Sequence, residues 1–201
     1  MTAQITDGIV SLRYYRPDDT EILFEAAYES RDEIGRWMDW CHPRYSMTDA
    51  QIWINAQPNL RQIGDHPLVI TDAETGTFLG SSGLNQVNQI HGFANLGYWV
   101  RSTATGGGVA TRAARLVAIM GLGALGLRRM EIVCNVANAA SIRVAERVGA
   151  VREGVARSRL MYGGEVADAV MFSLTRDDLP RLVAAAAEIG AHEPRIDLEP
   201  S

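Results

Sequence analysis

The chain carries its densest chemical signal between Asn95 and Thr111, where an apolar run through Trp99 and Val100 ends in three consecutive glycines, Gly106, Gly107 and Gly108, ahead of a helical pattern. Glycines let backbone N–H groups close on an anion, and the first turn of the following helix adds unpaired N–H groups and the positive end of its dipole. Such a loop can cradle a diphosphate. There is no lysine: all 19 basic residues are Arg. That removes Walker-type phosphate loops, pyridoxal-phosphate enzymes and Schiff-base aldolases, each of which needs a Lys amine. Contiguous glycines also fail the spaced G-x-G-x-x-G of dinucleotide-binding folds.

A length of 201 residues, 47% hydrophobic and 21% charged, suits a single domain over 1–201 with a full core. No apolar stretch reaches spanning length, and the polar segment Met1 to Asp7 lacks a basic residue, so a cytoplasmic protein with no membrane partner is expected. Cys41 and Cys134 lie far apart and the four His are scattered, so no metal or disulfide is expected and each Cys reads as a small buried hydrophobe. Arg101 to Gly164 holds ten Arg against three acids, while the remainder holds nine Arg against 21 acids. A basic segment around the glycine loop suits a polyanionic cofactor, and an acidic remainder suits a cationic acceptor such as an amine. Net acidity and the lack of a basic helix with interleaved aromatics speak against a nucleic-acid partner.

These residues need elements to position them. Alternation over Ile9 to Tyr15 predicts a strand, and Pro17-Asp18-Asp19 opens a helix through about Glu29. Ser46 caps a helix from Met47 to about Arg61, with Asp49 in the capping-box position. Leu68 to Thr71 and Thr77 to Leu84 read as a hairpin, and Leu96 to Arg101 as the next strand. A helix from Val109 to about Leu125, a strand Met130 to Val136 and a short helix Ala139 to Arg147 ended by Gly149 follow. Val151 to Met161 and Val166 to Leu174 pair across Gly163-Gly164, and the tail is helical to about Ile189, then acidic and frayed over the rest of 181–201.

The run "NLGYWVR", then the stretch from Thr105 to Arg157, then "GGEVADAVMFSL" resembles the GNAT superfamily of N-acetyltransferases, specifically its RimL-like branch of ribosomal-protein acetyltransferases. "IGRWMDWCHPRYSMTDAQIWI" resembles the family's upstream aromatic segment, so the likeness covers most of the chain. It implies an α/β (α+β) fold with a mixed, mostly antiparallel, twisted sheet of about seven strands flanked by helices. It also implies acetyl-CoA as co-substrate. The family's phosphate motif, (R/Q)-x-x-G-x-(G/A), falls on Thr105 to Ala110, with Thr at the usual Arg/Gln position. By resemblance, the N–H groups of Gly106, Gly108, Val109, Ala110 and Thr111, with Gly107 in the same run, hold the diphosphate, and Arg112 and Arg143 are candidates to compensate for Thr105. The backbone of Trp99, Val100 and Arg101 would pair with the pantetheine amides where two strands splay, an N–H near Val100 polarising the thioester carbonyl.

Asn138-Ala139-Ala140-Ser141 matches the family's N-x-x-S segment, which implies that Asn138 contacts pantetheine and that the Ser141 hydroxyl serves the departing sulfur. The alternative is that the pair simply caps its helix. Other branches place a Tyr one turn further on, where this chain has Ala145. Glu131, Asp39 and Asp168 all remain open as the general base. Trp37, Trp40 and Trp53 are candidates to line an acceptor pocket. The branch points to a protein N-terminal amine as acceptor. A small amine (polyamine, amino sugar or antibiotic) and a non-catalytic CoA-binding domain stay open, as does a homodimer.

Overall fold

The computed structural model describes residues 3–190 and 194–198. Fifteen elements follow one another: β1 (Ala3–Thr6), β2 (Val10–Tyr14), α1 (Thr20–Glu29), α2 (Arg31–Ile34), α3 (Met47–Gln62), β3 (His66–Asp72), β4 (Phe78–Asn88), β5 (Phe93–Val100), α4 (Val109–Ile119), β6 (Arg129–Asn135), α5 (Ala139–Val148), β7 (Val151–Tyr162), β8 (Glu165–Thr175), α6 (Leu179–Gly190) and β9 (Arg195–Leu198). The strands form one sheet in the order β7-β8-β6-β5-β4-β3-β2-β1-β9. Only β5 and β6 pair in parallel, because α4 is the crossover that brings the chain back to the same end of the sheet.

The sheet has nine strands where the sequence predicts about seven. The two additions pair with each other. Gln4, Ile5 and Thr6 of β1 lie opposite Asp197, Ile196 and Arg195, so residues 195–198 of the supposedly frayed tail are an edge strand. A four-residue strand has too short an alternation to be read from polar sequence. The expected frayed ends at 191–193 and 199–201 lie outside the described residues. The expected helix to Leu125 changes pitch at Met120, where Met120–Ala124 forms a π-helical turn. Gly121 lies against β6 there: a Cβ on it would meet Met130 Sδ at 2.7 Å.

Each face of the sheet has its own core. Leu12, Leu68, Leu84, Leu96, Met130, Ile132 and Phe172 point to the face covered by α4, α5 and α6. There α4 is buried on all sides from Ala113 to Ile119, as a central helix between sheet and flanking helices must be. The opposite face packs Tyr15, Val69 and Phe78 against Leu23, Ala26 and Ala27 of α1 and Ala50 and Ile54 of α3. Each fully buried aliphatic side chain contributes on the order of 1.5–3 kcal/mol.

Candidate active site

The glycine run lies between β5 and α4. Gly106 and Gly108 have φ of +85° and +79°, and Gly108 is the left-handed residue that starts α4. A Cβ on any of Gly106, Gly107 or Gly108 would have nothing within 4 Å, so the loop bounds open space. None of the N–H groups from Gly106 to Thr111 has an acceptor among the described residues. A diphosphate fits those unmet donors and the helix dipole behind them.

The lead-in to this loop is anchored to α1 and α2. The Arg101 guanidinium bonds Glu29, which also accepts from Thr103 N (3.2 Å) and Oγ1 (2.8 Å). Ser102 N donates to Ser30 Oγ at 2.8 Å, and Ser102 Oγ to Glu33 at 3.0 Å. Hydrogen bonding from Arg101 holds the Glu29 carboxyl below its ordinary range. The Arg101 side chain therefore secures the loop from beneath. Thr105 Oγ1 turns back to Ser102 O at 2.9 Å. Arg112 bonds the buried carboxylate of Asp7 at 3.0 Å, and only Arg143 is exposed, so the first of the two candidates to compensate for Thr105 is committed elsewhere.

β5 and β6 pair from Phe93↔Arg129 to Asn95↔Glu131 and then part. On its other side β5 stays paired with β4 through Val100, and Arg101 N donates to Leu79 O at 2.9 Å. Antiparallel bonding alternates, so Trp99 and Gly97 face β4 with their backbone while Tyr98 and Val100 turn N–H and C=O into the gap. Of the three residues Trp99, Val100 and Arg101, Val100 thus offers the free backbone edge.

At the head of α5, Asn138 Oδ1 accepts from Ser141 N at 3.0 Å, so the capping role is real. The Ser141 hydroxyl is at the same time 3.0 Å from the Tyr98 hydroxyl and 3.1 Å from Cys134 Sγ. Tyr98 also donates to the Ser141 carbonyl at 3.0 Å. Burial drives the Tyr98 hydroxyl far above its ordinary value and pushes the Cys134 thiol up, so both stay neutral. Ala145 is fully buried and brings no polar atom. The second hydroxyl comes from the strand, a contact the sequence did not disclose because Tyr98 and Ser141 are 43 positions apart.

Beyond Gly97 and Trp99, between the sheet and α3, lies a cavity of about 620 Å³. Trp40 and Trp53 line it as expected; Trp37 does not, and Trp99 takes its place. None of the three carboxylates considered as base lines it. Glu131 pairs with Arg129 at 2.9 Å, Asp39 accepts from Gly163 N at 2.8 Å, and Asp168 accepts from Ser158 N at 2.8 Å. The titratable groups other than Tyr that do line it are His42, Asp49 and Asp65. Sequence singled out only Asp49 among them, as a cap. It is one: Ser46 N and Oγ reach its Oδ2 at 2.8 and 2.7 Å and hold the carboxyl below its ordinary range. Among the described residues there is no group of three His, Cys, Asp or Glu that could hold a metal, and no helix long and apolar enough to cross a membrane.

The open glycine loop, the splayed strand pair and the Ser141 hydroxyl at the head of the next helix all adjoin β5. Residues 10–151 match the profile of the Acetyltransferase (GNAT) domain, and the chain belongs to that family. It is an acetyltransferase that uses acetyl-CoA. The chain is 28% identical over 172 residues to the "Putative ribosomal N-acetyltransferase YdaF" of Bacillus subtilis, covering 83% of this chain and 91% of that one. Its structure is similar to that of Mycobacterium smegmatis RimJ in complex with CoA-disulfide, at 25% identity and TM-score 0.81, with 97% and 95% of the two chains covered. It shares its fold with RimL, the ribosomal L7/L12 alpha-N-protein acetyltransferase, in complex with coenzyme A, at 21% identity and TM-score 0.77 over 84% and 95% of the chains.

Proposed function

We propose that this enzyme transfers the acetyl group of acetyl-CoA to a protein N-terminal amine by direct attack, without an acyl-enzyme. The reading rests on one observation above the others: the Ser141 hydroxyl is held by Tyr98 and Cys134 at the head of α5, after the strand that parts from β5. In the proposed reaction the N–H groups of Gly106 to Thr111 bind the diphosphate. Tyr98 and Val100 pair with the pantetheine through their gap-facing backbone, Asn138 contacts it at the head of α5, and the Val100 N–H polarises the carbonyl. The new C–N bond forms as the C–S bond breaks, the amine proton leaves to a carboxylate or water, and Ser141 donates a hydrogen bond to the departing thiolate. The ribosomal name of its Bacillus subtilis relative supports a protein N-terminus as acceptor.

The apolar walls of the cavity also suit a second acceptor class, a free small amine, which a panel of peptides and small amines separates by CoA thiol release. Within either class, Ser141→Ala lowers kcat by about 10²-fold, the size of one lost proton-donating group, while the KM for acetyl-CoA stays within about threefold. An unchanged kcat removes Ser141 from the mechanism.

A further inference from the structure

We propose that the cavity between α3 and the sheet is a pocket for a bulky apolar, above all aromatic, group carried next to the acceptor amine; the inference rests on the transfer reaction proposed above. Large apolar side chains that could have packed away remain open around this space: Ile52 is 62% exposed, Trp40 41% and Trp53 39%. A cluster of exposed apolar surface around one concavity marks a binding site rather than ordinary surface.

The walls are fixed in advance. Trp40 packs on Trp99 with ring centroids 5.6 Å apart and edge-on to Tyr45 at 5.7 Å, while Trp53 stands perpendicular to Tyr15 at 6.1 Å. Rings held this way lose little entropy when a ligand enters. The floor is bare at one point: Gly97 is the cross-strand partner of Gly83, and a Cβ on Gly97 would have only Asn85 Nδ2 near, at 3.4 Å.

The polar atoms of the lining are mostly spent. Ser81 Oγ donates to Leu68 O at 2.8 Å, Ser82 Oγ to Gly97 O at 2.9 Å, and Asn85 Oδ1 accepts from Asn95 at 2.9 Å. Asp49, which caps α3 through Ser46, and Asp65 add two carboxyl groups to the lining, with His42 Nε2 4.0 Å from Asp49 Oδ2. A site with apolar walls and two carboxylates matches an ammonium whose neighbouring group is large and apolar. A methyl or hydroxymethyl group would leave most of the 620 Å³ to water.

The test compares kcat/KM at saturating acetyl-CoA for peptides identical except for a first residue of Ala, Ser, Leu, Phe or Trp, alongside ethylamine and phenethylamine. Phe and Trp peptides are expected to exceed Ala and Ser peptides, and phenethylamine to exceed ethylamine, by about tenfold or more. Gly97→Val fills the floor and brings the ratios within about threefold, and Trp53→Ala does the same by removing a wall; calorimetric binding of acetyl-CoA checks that each variant is folded. Flat rates across first residues, or a preference for the small ones, overturn the pocket and leave the transfer reading standing. Selective acetylation of phenethylamine with no peptide acetylated supports the pocket and overturns the N-terminal reading. No transfer to any amine with acetyl-CoA bound overturns both.

Discussion

The Tyr98 hydroxyl on β5 donates to the Ser141 carbonyl on α5 and lies 3.0 Å from the Ser141 hydroxyl, so one phenol fixes both polar groups of the residue proposed to meet the sulfur. With the Tyr98 proton on the carbonyl, the Ser141 hydroxyl is the donor in its contact with the Tyr98 oxygen, and its proton turns from that oxygen to the sulfur in the proposed reaction. Tyr98→Phe removes one oxygen and keeps the ring. It is expected to lower kcat about tenfold with little change in the KM for acetyl-CoA, and to destabilise the fold by about 1 kcal/mol. Acting through Ser141, Tyr98 adds nothing once Ser141 is gone. The double variant with Ser141→Ala should match Ser141→Ala alone, and additive losses in the four steady-state measurements reject the coupling.

The Asp7–Arg112 pair joins the β1–β2 turn to α4. Its carboxylate is 2% exposed, and Asp7 Oδ1 also accepts from Ile9 N (3.0 Å) and Val10 N (2.9 Å). Arg112→Met strands a buried carboxylate and is expected to lower stability by about 3–5 kcal/mol in chemical denaturation. Acetyl-CoA affinity of the folded variant, read by calorimetry, should shift less than threefold. A large loss of affinity at full stability means that Arg112 serves the phosphates after all.

Sequence disclosed what is local. The strand and helix periods, the Ser46–Asp49 cap, the glycine run and the Asn138–Ser141 cap all lie within a few residues of their partners, and all appear in the structure. What it hid depends on register and distance. Which face Glu131 takes follows from its pairing with Ser173 of β8, and that face carries Arg129, which bonds both Glu131 and Glu153. Asp39 is tied to the β7–β8 turn 124 positions away. The cavity draws Tyr15, Trp40, Trp53 and Trp99 from four separate segments, so aromatic spacing along one helix could select only part of it.

Arg129 holds Glu153 through two bonds of 2.7 and 2.6 Å, and Ser173 adds a third at 2.7 Å. Arg129 is the main cause, and Ser173 the second, of a Glu153 carboxyl lowered from 4.5 to about 2. A depressed folded value means that this stabilisation is complete above the unfolded value of 4.5 and lost as pH falls through about 2. Glu153 is 40% exposed at its side chain, so screening keeps the contribution below about 1 kcal/mol. Glu153→Gln should flatten the urea midpoint between pH 5 and pH 2 relative to the parent. Parallel profiles for the two proteins exclude the pair as a source of acid sensitivity.

Gly107 separates the fold of the loop from its use. Unlike its neighbours Gly106 and Gly108 it does not have a positive φ, and a Cβ built on it has nothing within 4 Å. Gly107→Ala therefore costs the fold nothing through clash or left-handed strain, and its melting temperature should stay within about 2 °C of the parent. A methyl group in the cradle crowds the approach of a diphosphate to the N–H groups around it. The KM for acetyl-CoA should rise about tenfold with kcat for the saturated enzyme nearly unchanged, since binding in ground and transition state is weakened alike. Gly108→Ala serves as the contrast: at φ +79° it strains the start of α4 and should lower stability by about 1 kcal/mol as well as affinity. If Gly107→Ala binds acetyl-CoA as the parent does, the diphosphate lies elsewhere and the unmet N–H groups between Gly106 and Thr111 serve no cofactor.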